Sequence, residues 1–160
     1  QEYLIIEGGQ TEVEGVELAG IQDADPTPEV LEAIAGADLI VIGPSNPVIS
    51  IGPILAVAGI REAIVTAGAP VIAVSPYVAG KVIKGPTDLF MKAIGRPTTA
   101  AGVASLYEGV IDAMVSDADD PDPPPTGIRS FSTKTLMHSA ESRAMVARAV
   151  LKVGETLTES

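Results

Sequence analysis

The sequence predicts an α/β fold with a mainly parallel, Rossmann-like sheet flanked by helices and a small β-hairpin at the N-terminal end. Two apolar blocks, Leu39–Ile42 and Val71–Val74, have the unbroken hydrophobicity of strands that are covered on both faces. Segments with helical periodicity lie between and after these blocks, and such alternation is typical of a parallel sheet. A chain of 160 residues is also the right size for one domain.

The first predicted elements are the hairpin and a short helix. Residues 2–7 and 12–20 alternate apolar with polar side chains on either side of a Gly-Gly turn, which predicts a β-hairpin. Thr27 is followed by a proline and then by apolar residues at helical spacing, which predicts the start of a helix. This helix ends near Gly36, just before the first strand block.

The later elements continue the alternation. Helical periodicity resumes between the two strand blocks with a break at Gly59, and Ser139 begins a C-terminal helix whose apolar face includes Met145 and Val150. The run from Asp117 to Pro125 is acidic and rich in proline, so it is predicted to be an exposed connection. The other predicted segments are helices at 54–67, 87–94 and 100–107 and strands at 111–116 and 128–131.

Composition and charge exclude several classes of function. The sequence has 21 acidic and 10 basic side chains, spread along the chain, so nucleic acid is not expected as a partner. The apolar blocks are too short to predict a membrane span. The absence of cysteine fits a reducing, cytoplasmic location. The chain starts without a methionine, inside the first predicted strand, so we expect it to be a truncated sequence.

Ligand-binding residues are expected in the loops that follow the two strand blocks, because ligands bind beyond the carboxyl ends of parallel strands. In the first loop, Ser45, Asn46 and Ser50 offer side-chain donors that suit phosphate or sugar hydroxyls. Asn and Ser beside proline are also common turn formers. The spacing therefore leaves a binding role and a structural role equally open.

The second loop begins at Ser75 and places Lys81 and Lys84 three residues apart in an otherwise acidic chain. This pair predicts an anion site, and two solvated loop lysines are the alternative. The loop is not a Walker A motif, which needs glycine in place of Ser75 and Ser or Thr in place of Val82. No GxSxG or GxGxxG motif supports a hydrolase or a dehydrogenase. The one histidine, His138, is left out of the site, because a surface role is commoner at a helix start.

Three segments of the chain are distinctive, namely IGPSNPVISIGPILAVAGIREAI (42–64), VIAVSPYVAGKVIKGPT (71–87) and TLMHSAESRAMVARAVL (135–151). They resemble the 2-phospho-L-lactate transferase family, in the family's order and at about its spacing, and with a weaker N-terminal match they span nearly the whole chain. The resemblance implies that residues 1–160 form the C-terminal part of a single α/β transferase domain. The nucleotide-binding turn and the metal-binding acids would then belong to an N-terminal half that is absent here.

The resemblance also implies a reaction. Family enzymes transfer a 2-phospholactyl group from lactyl-2-diphospho-5'-guanosine to the hydroxyl of 7,8-didemethyl-8-hydroxy-5-deazariboflavin and release GMP, in coenzyme F-420 biosynthesis. Related enzymes use a phosphoenolpyruvyl donor. Magnesium is the implied cofactor, with its ligands and the catalytic residues outside this chain. The candidate substrate-binding residues are Ser45, Asn46, Ser75, Lys81 and Lys84.

Two alternatives to a complete enzyme stay open from the sequence: a non-catalytic nucleotide-binding module, and an inactive fragment of the enzyme. A homodimer is also left open. Three residues depart from the family's usual pattern, which has an aliphatic residue at Tyr77, glycine at Ala79, and aspartate or asparagine at Lys134. The family also tends to be more helical at 119–125, so the resemblance does not fix the register of that loop.

Overall fold

The computed structural model describes residues 12–159 of the chain. These residues form four strands of one sheet, a separate two-stranded hairpin and six α-helices. A 3-10 turn (Ile21–Asp23) comes first, and a π-helical turn (Pro47–Ile51) leads into the second helix. The helices are α1 (Pro28–Ala35), α2 (Gly52–Ala56), α3 (Ile60–Thr66), α4 (Thr87–Ala93), α5 (Ala100–Leu106) and α6 (Ala140–Thr158). The strands are β1 (Ile40–Ile42), β2 (Val71–Val74), β3 (Tyr77–Val78), β4 (Lys81–Val82), β5 (Ala113–Asp117) and β6 (Arg129–Thr133).

The main sheet is parallel, with the strand order β1-β2-β5-β6. Helices α2 and α3 connect β1 to β2, and α4 and α5 connect β2 to β5. Strands β5 and β6 are joined by the acidic loop, and β3 and β4 form the antiparallel hairpin. The predicted α/β class with a parallel, helix-flanked sheet is therefore confirmed.

Two hydrophobic cores cover the two faces of the sheet. Ala73 and Met114 face one core, which is completed by buried side chains of α2 to α5. Ile72 and Val115 face the other, which α6 completes. None of these four residues is more than 1% exposed. Burial on both faces explains why β2 is an unbroken apolar block in the sequence.

Strand β1 differs from its prediction. It was expected to be covered on both faces, but Val41 is 47% exposed, whereas Ile42 is buried. Within residues 12–159, β1 pairs with β2 alone and forms one edge of the sheet. An edge strand keeps unpaired backbone groups that can accept another strand.

The predicted bounds of α1 and the predicted break at Gly59 are confirmed, whereas the helix predicted to begin at Ile54 already begins at Gly52. Helix α1 begins after Thr27 at its N-cap, and Gly36 is its C-cap. Gly59 separates α2 from α3 and adopts φ 80°, a conformation that L-residues rarely adopt. The break that the sequence predicts at this glycine is therefore a backbone requirement.

Helix α6 begins after Ser139, as predicted, and a capping box between Ser139 and Ser142 closes its first turn. Ser139 Oγ accepts a hydrogen bond from the Ser142 backbone N–H, and the Ser139 N–H donates to Ser142 Oγ. The apolar face is narrower than predicted, because Met145 is 39% exposed while Val146 and Val150 are buried.

The predicted N-terminal hairpin lies mostly outside the described residues. Its first arm, 2–7, is not described. Residues 12–18, at the start of its second arm, have no regular secondary structure.

The β3–β4 hairpin was not predicted, because the sequence analysis took this segment for a glycine-rich loop. Ala79 (φ 50°) and Gly80 (φ 72°) form its turn, and two consecutive positive φ angles suit the twist of a two-residue hairpin. Ala79 is the one non-glycine residue with positive φ in the described part of the chain. A Cβ atom on Gly80 would lie 2.8 Å from Pro121 Cδ, so the hairpin turn packs closely against the acidic loop.

We expect Ala79→Gly to raise the free energy of unfolding by about 1 kcal/mol. An L-residue in the left-handed conformation costs roughly 1–2 kcal/mol, and the extra chain entropy of glycine offsets part of this gain. Gly80→Ala should destabilise the protein, because its Cβ would also collide with Pro121. In Gly59→Ala the new Cβ atom has open space around it, so this variant measures the cost of the positive φ angle alone. Urea unfolding measures all three variants, and a lower midpoint for Ala79→Gly would contradict this account.

No single helix in residues 12–159 combines the length and the apolarity of a membrane span. Only the segments Pro47–Ala56 and Ile60–Thr66 reach that length and composition together, and they are bent by 81° relative to each other.

Candidate functional site

The carboxyl ends of the four parallel strands bring four loops to one edge of the sheet. Two adjoining grooves open there and share Pro44, Pro76 and Ile83 as a common wall. We call them the polar groove and the apolar groove. Ligands of parallel α/β proteins bind at this edge of the sheet.

The polar groove has a volume of about 390 Å³ and contains three of the five predicted site residues, namely Ser45, Asn46 and Lys84. Ser45 and Lys84 are exposed. Neither side chain has a hydrogen-bond or ion-pair partner in the part of the chain that the structure describes. Ser50 and Thr87 add hydroxyl groups to the same groove. One cation and several hydroxyls are therefore available to an anionic ligand.

The side chain of Asn46 mainly stabilises the local fold. Its Oδ1 accepts hydrogen bonds from the backbone N–H groups of Val48 (2.9 Å) and Ile49 (3.1 Å), and so caps the π-helical turn. Its Nδ2 donates to Thr87 Oγ1 at 3.2 Å, which ties the loop after β1 to the start of α4. The amide has one N–H left for a ligand. Asn46 therefore shapes the polar groove, as the structural interpretation of the sequence allowed.

The other two predicted residues, Ser75 and Lys81, lie elsewhere. Ser75 lines the apolar groove, is 1% exposed, and accepts a hydrogen bond from the Tyr77 N–H through its Oγ (3.1 Å). Lys81 is exposed on β4 and lines neither groove. The hairpin thus separates the two lysines that the sequence places three residues apart.

The apolar groove has a volume of about 280 Å³. Its second wall is the loop after β6, where Leu136 is 41% exposed and Met137 is partly buried. Ile83, on the wall shared with the polar groove, is 62% exposed. His138, which the sequence analysis left out of the site, is exposed at this groove. Exposed apolar side chains that converge on one concave surface are typical of a binding groove for an apolar group.

Asp117 is the main site residue that the sequence does not predict. The acidic, proline-rich run predicts an exposed connection that begins at Asp117, but this residue is 4% exposed at the end of β5. Its Oδ2 accepts from Thr135 N (2.7 Å) and Thr135 Oγ1 (3.0 Å), and its Oδ1 accepts from Asp119 N (3.0 Å) and Ala79 N (3.3 Å). One buried carboxylate therefore joins the hairpin, the acidic loop and the loop after β6.

Tyr77 holds the hairpin on its other side. It is 1% exposed, and its hydroxyl donates to Asp88 Oδ1 at 3.0 Å. Burial, together with this hydrogen bond to a carboxylate, raises the pKa of Tyr77. The tyrosine hydroxyl therefore stays protonated and links β3 to α4.

A larger cavity, of about 690 Å³, lies at the opposite edge of the sheet, between Gly68–Val71 and Gly109–Asp112. Asp112 Oδ2 accepts a hydrogen bond from the Val71 N–H there (2.8 Å), and the Arg129 guanidinium lies 5.9 Å from the centre of the Phe131 ring. This cavity is at the amino ends of the strands. We therefore assign the candidate site to the smaller grooves at the carboxyl edge, where loops from several strands converge.

Comparison with known proteins decides the family. The family model described as 2-phospho-L-lactate transferase CofD matches residues 1–150. The chain belongs to the 2-phospho-L-lactate transferase family. One relative, the phosphoenolpyruvate transferase of Streptomyces griseus, is 41% identical over 97% of this chain and 50% of its own. Another, the 2-phospho-L-lactate transferase of Methanopyrus kandleri, is 35% identical over 98% of this chain and 51% of its own.

The chain thus spans about half the length of the curated relatives it matches. Among solved structures, a member of the UPF0052 family from Bacillus halodurans shares the fold, with a TM-score of 0.61. The match covers 91% of this chain and 52% of that protein at 22% identity, so the likeness concerns the fold alone.

The structure gives a local setting for two of the three positions at which the resemblance implies a departure from the family pattern. Tyr77 forms the hydrogen bond to Asp88, and Ala79 occupies a turn position that favours glycine. Lys134 forms an ion pair with Asp119, but both side chains are more than half exposed. Such a surface pair contributes little to stability.

The magnesium ion that the resemblance implies does not fit the residues described here. Within residues 12–159, no group of three or more His, Asp or Glu side chains is placed to hold a metal ion.

Acidification should destabilise the protein through Asp117. Burial raises the pKa of this carboxyl, but the hydrogen bonds from Thr135, Asp119 and Ala79 lower it by more, so the net shift is downward. The stabilisation is therefore fully present above the ordinary carboxyl pKa of about 4 and is lost as pH falls through the lower folded-state value. Urea unfolding of the wild type and of Asp117→Asn between about pH 6 and pH 3 measures the effect. The Asn variant should depend less on pH in this range, and equal slopes would contradict the assignment.

Proposed function

We propose that the protein to which this chain belongs transfers a 2-phospholactyl group, or its phosphoenolpyruvyl counterpart, to the hydroxyl of a deazaflavin. The donor is guanosine diphosphate-linked and the other product is GMP, as in coenzyme F-420 biosynthesis. Family membership supports the class of reaction. The relatives that match this chain include both a phosphoenolpyruvate transferase and a 2-phospho-L-lactate transferase. The observation that carries the proposal is the adjacency of a lysine-bearing polar groove and an apolar groove.

The polar groove suits the diphosphate of the donor. Lys84 supplies a positive charge, and Ser45 and Ser50 supply hydroxyl donors for phosphate oxygens. The chain has a formal net charge of −11, so an anionic donor needs such a local cation to bind at its surface. In phosphoryl-type transfers, positioning and neutralisation of charge supply most of the rate.

The apolar groove suits the ring system of the acceptor. Ile83, Leu136 and Met137 offer apolar surface to a flat aromatic ring. Because the grooves share one wall, ligands in both would be neighbours, as a transfer between two substrates requires.

The transfer balances without an oxidant or a reductant. The acceptor hydroxyl oxygen forms a bond to the phosphorus of the phospholactyl group. The bond from that phosphorus to the bridging oxygen of the diphosphate breaks, and GMP leaves with the electron pair. The hydroxyl proton is released. The neutralising charge of Lys84 acts where negative charge develops on the leaving phosphate.

Replacement of Lys84 by Ala should weaken GDP binding about 10-fold, because a charge-assisted hydrogen bond contributes roughly 1.5 kcal/mol. Lys81→Ala is the matched control, since Lys81 lies outside both grooves. Isothermal titration of the complete polypeptide with GDP measures both variants. Equal affinities for Lys84→Ala and the wild type would contradict the proposed donor groove.

The same titration, with the deazaflavin added, separates the enzyme from its main alternative. Binding of GDP and the deazaflavin together supports the transferase. Binding of GDP without the deazaflavin supports a non-catalytic nucleotide-binding module. Turnover with phospholactyl and phosphoenolpyruvyl donors then identifies the natural donor.

A further inference from the structure

We infer that Asp117 is a positioning residue for the acceptor: it sets the distance between the two walls of the apolar groove without lining that groove. The inference rests on the proposed function of the groove. It assigns to a buried side chain the control of which ring system the protein accepts.

Each carboxylate oxygen of Asp117 holds one wall. Val78 of the β3–β4 hairpin lines one wall of the apolar groove, and Oδ1 accepts a hydrogen bond from the N–H of the next residue, Ala79. Oδ2 accepts from the Thr135 N–H and hydroxyl, at the start of the opposite wall that continues through His138. Asp117 itself is not among the residues that line this groove. Both Asp117 and Thr135 are less than 5% exposed, so solvent screens the contacts between these two residues only weakly.

The polar groove is held by a different network. Asn46 joins the loop after β1 to Thr87, and its bonds to Val48 and Ile49 fix the π-helical turn. The hydrogen bonds of Asp117 and those of Asn46 have no residue in common. Because the two grooves share only Pro44, Pro76 and Ile83, a change at Asp117 should alter acceptor binding much more than donor binding.

The closing experiment measures KM for the acceptor and KM for the donor in the complete polypeptide. The variants are Asp117→Asn, which weakens both links, and Thr135→Val, which removes the hydroxyl donor and keeps the backbone donor. Asp112→Asn is the matched control, because Asp112 also accepts a backbone N–H, from Val71, at the opposite edge of the sheet. Thr87→Val is the reciprocal variant, since it removes the acceptor of the Asn46 amide in the polar groove.

We expect acceptor KM to rise at least about 10-fold in Asp117→Asn and by less in Thr135→Val, with donor KM changed less than about 2-fold in both. A 10-fold change corresponds to roughly 1.4 kcal/mol of binding free energy. Asp112→Asn should change neither value, and Thr87→Val should raise donor KM selectively. If Asp117→Asn does not fold, Thr135→Val is compared with Thr135→Ser, which keeps the hydroxyl donor to Asp117 and should restore acceptor KM.

Three results overturn the inference. Equal rises in donor and acceptor KM, or unchanged acceptor KM in a folded Thr135→Val variant, would show that Asp117 has only a general structural role and would leave the proposed function intact. A wild-type polypeptide that binds GDP but neither binds nor converts the deazaflavin would overturn the proposed function, and this inference with it.

Discussion

The 160-residue chain alone should form no phospholactyl or phosphoenolpyruvyl product when donor, deazaflavin and magnesium are all supplied. The chain spans about half of its relatives, and the resemblance assigns the metal-binding acids to the other half. A metal ion contributes several kcal/mol to such a transfer, so we expect a rate at least roughly 1000-fold below that of the complete polypeptide. Product from the purified chain alone would contradict this expectation.

Activity should return when the preceding half of a relative is added as a separate polypeptide. Strand β1 is the edge of the described sheet, and Val41 is 47% exposed on it, so this edge is where the added half should pack. Val41→Lys should block the recovery of activity but leave the fold of the chain intact, because the side chain is already half exposed. Full recovery with Val41→Lys would place the contact elsewhere.

Asp117→Ala should lower the free energy of unfolding by about 2–3 kcal/mol, because it leaves the buried N–H and hydroxyl of Thr135 without their acceptor. The substitution also removes the acceptor of the Asp119 and Ala79 N–H groups. The protein also loses the link between three loops. The free energy from urea unfolding at neutral pH measures the loss.

Asp119→Ala is the matched control for Asp117→Ala. Asp119 is only two residues away, but its side chain is 58% exposed and pairs with Lys134 at the surface. Its removal should change the free energy of unfolding by less than about 0.5 kcal/mol. Similar losses in the two variants would show that the burial of Asp117 does not determine its contribution.

Elements with continuous burial were predictable from the sequence. The bounds predicted for β2 are the observed ones, because both faces of this strand pack against helices. Strand β1 has an equally apolar sequence, but its Val41 side chain is exposed. An apolar run shows that a segment can be buried, but it does not show which neighbouring element covers each face.

The hairpin and Asp117 could not be predicted from local sequence. The turn contains Ala79, which does not favour a positive φ, so the usual signal of two glycines is absent. Asp117 stands at the head of an acidic, proline-rich run, a composition that indicates solvent exposure. Its partners Ala79 and Thr135 lie 38 and 18 residues away along the chain, and only the fold brings them together.

The candidate site was partly predictable for a related reason. The rule that ligands bind beyond the carboxyl ends of strands located both loops, and Ser45, Asn46 and Lys84 share a groove there. The rule could not show that Lys84 lines a groove and Lys81 does not. The β3–β4 hairpin within the second loop places Lys81 on β4, away from both grooves. Nor could the rule show that the Asn46 amide caps a turn.

A crystal structure of the complete polypeptide with GDP and the deazaflavin would show directly where both substrates bind. We expect the phosphates of GDP in the polar groove beside Lys84, and the deazaflavin ring in the apolar groove between Ile83 and Met137. Both ligands in the larger cavity at the opposite edge of the sheet, beside Asp112 and Arg129, would contradict this expectation.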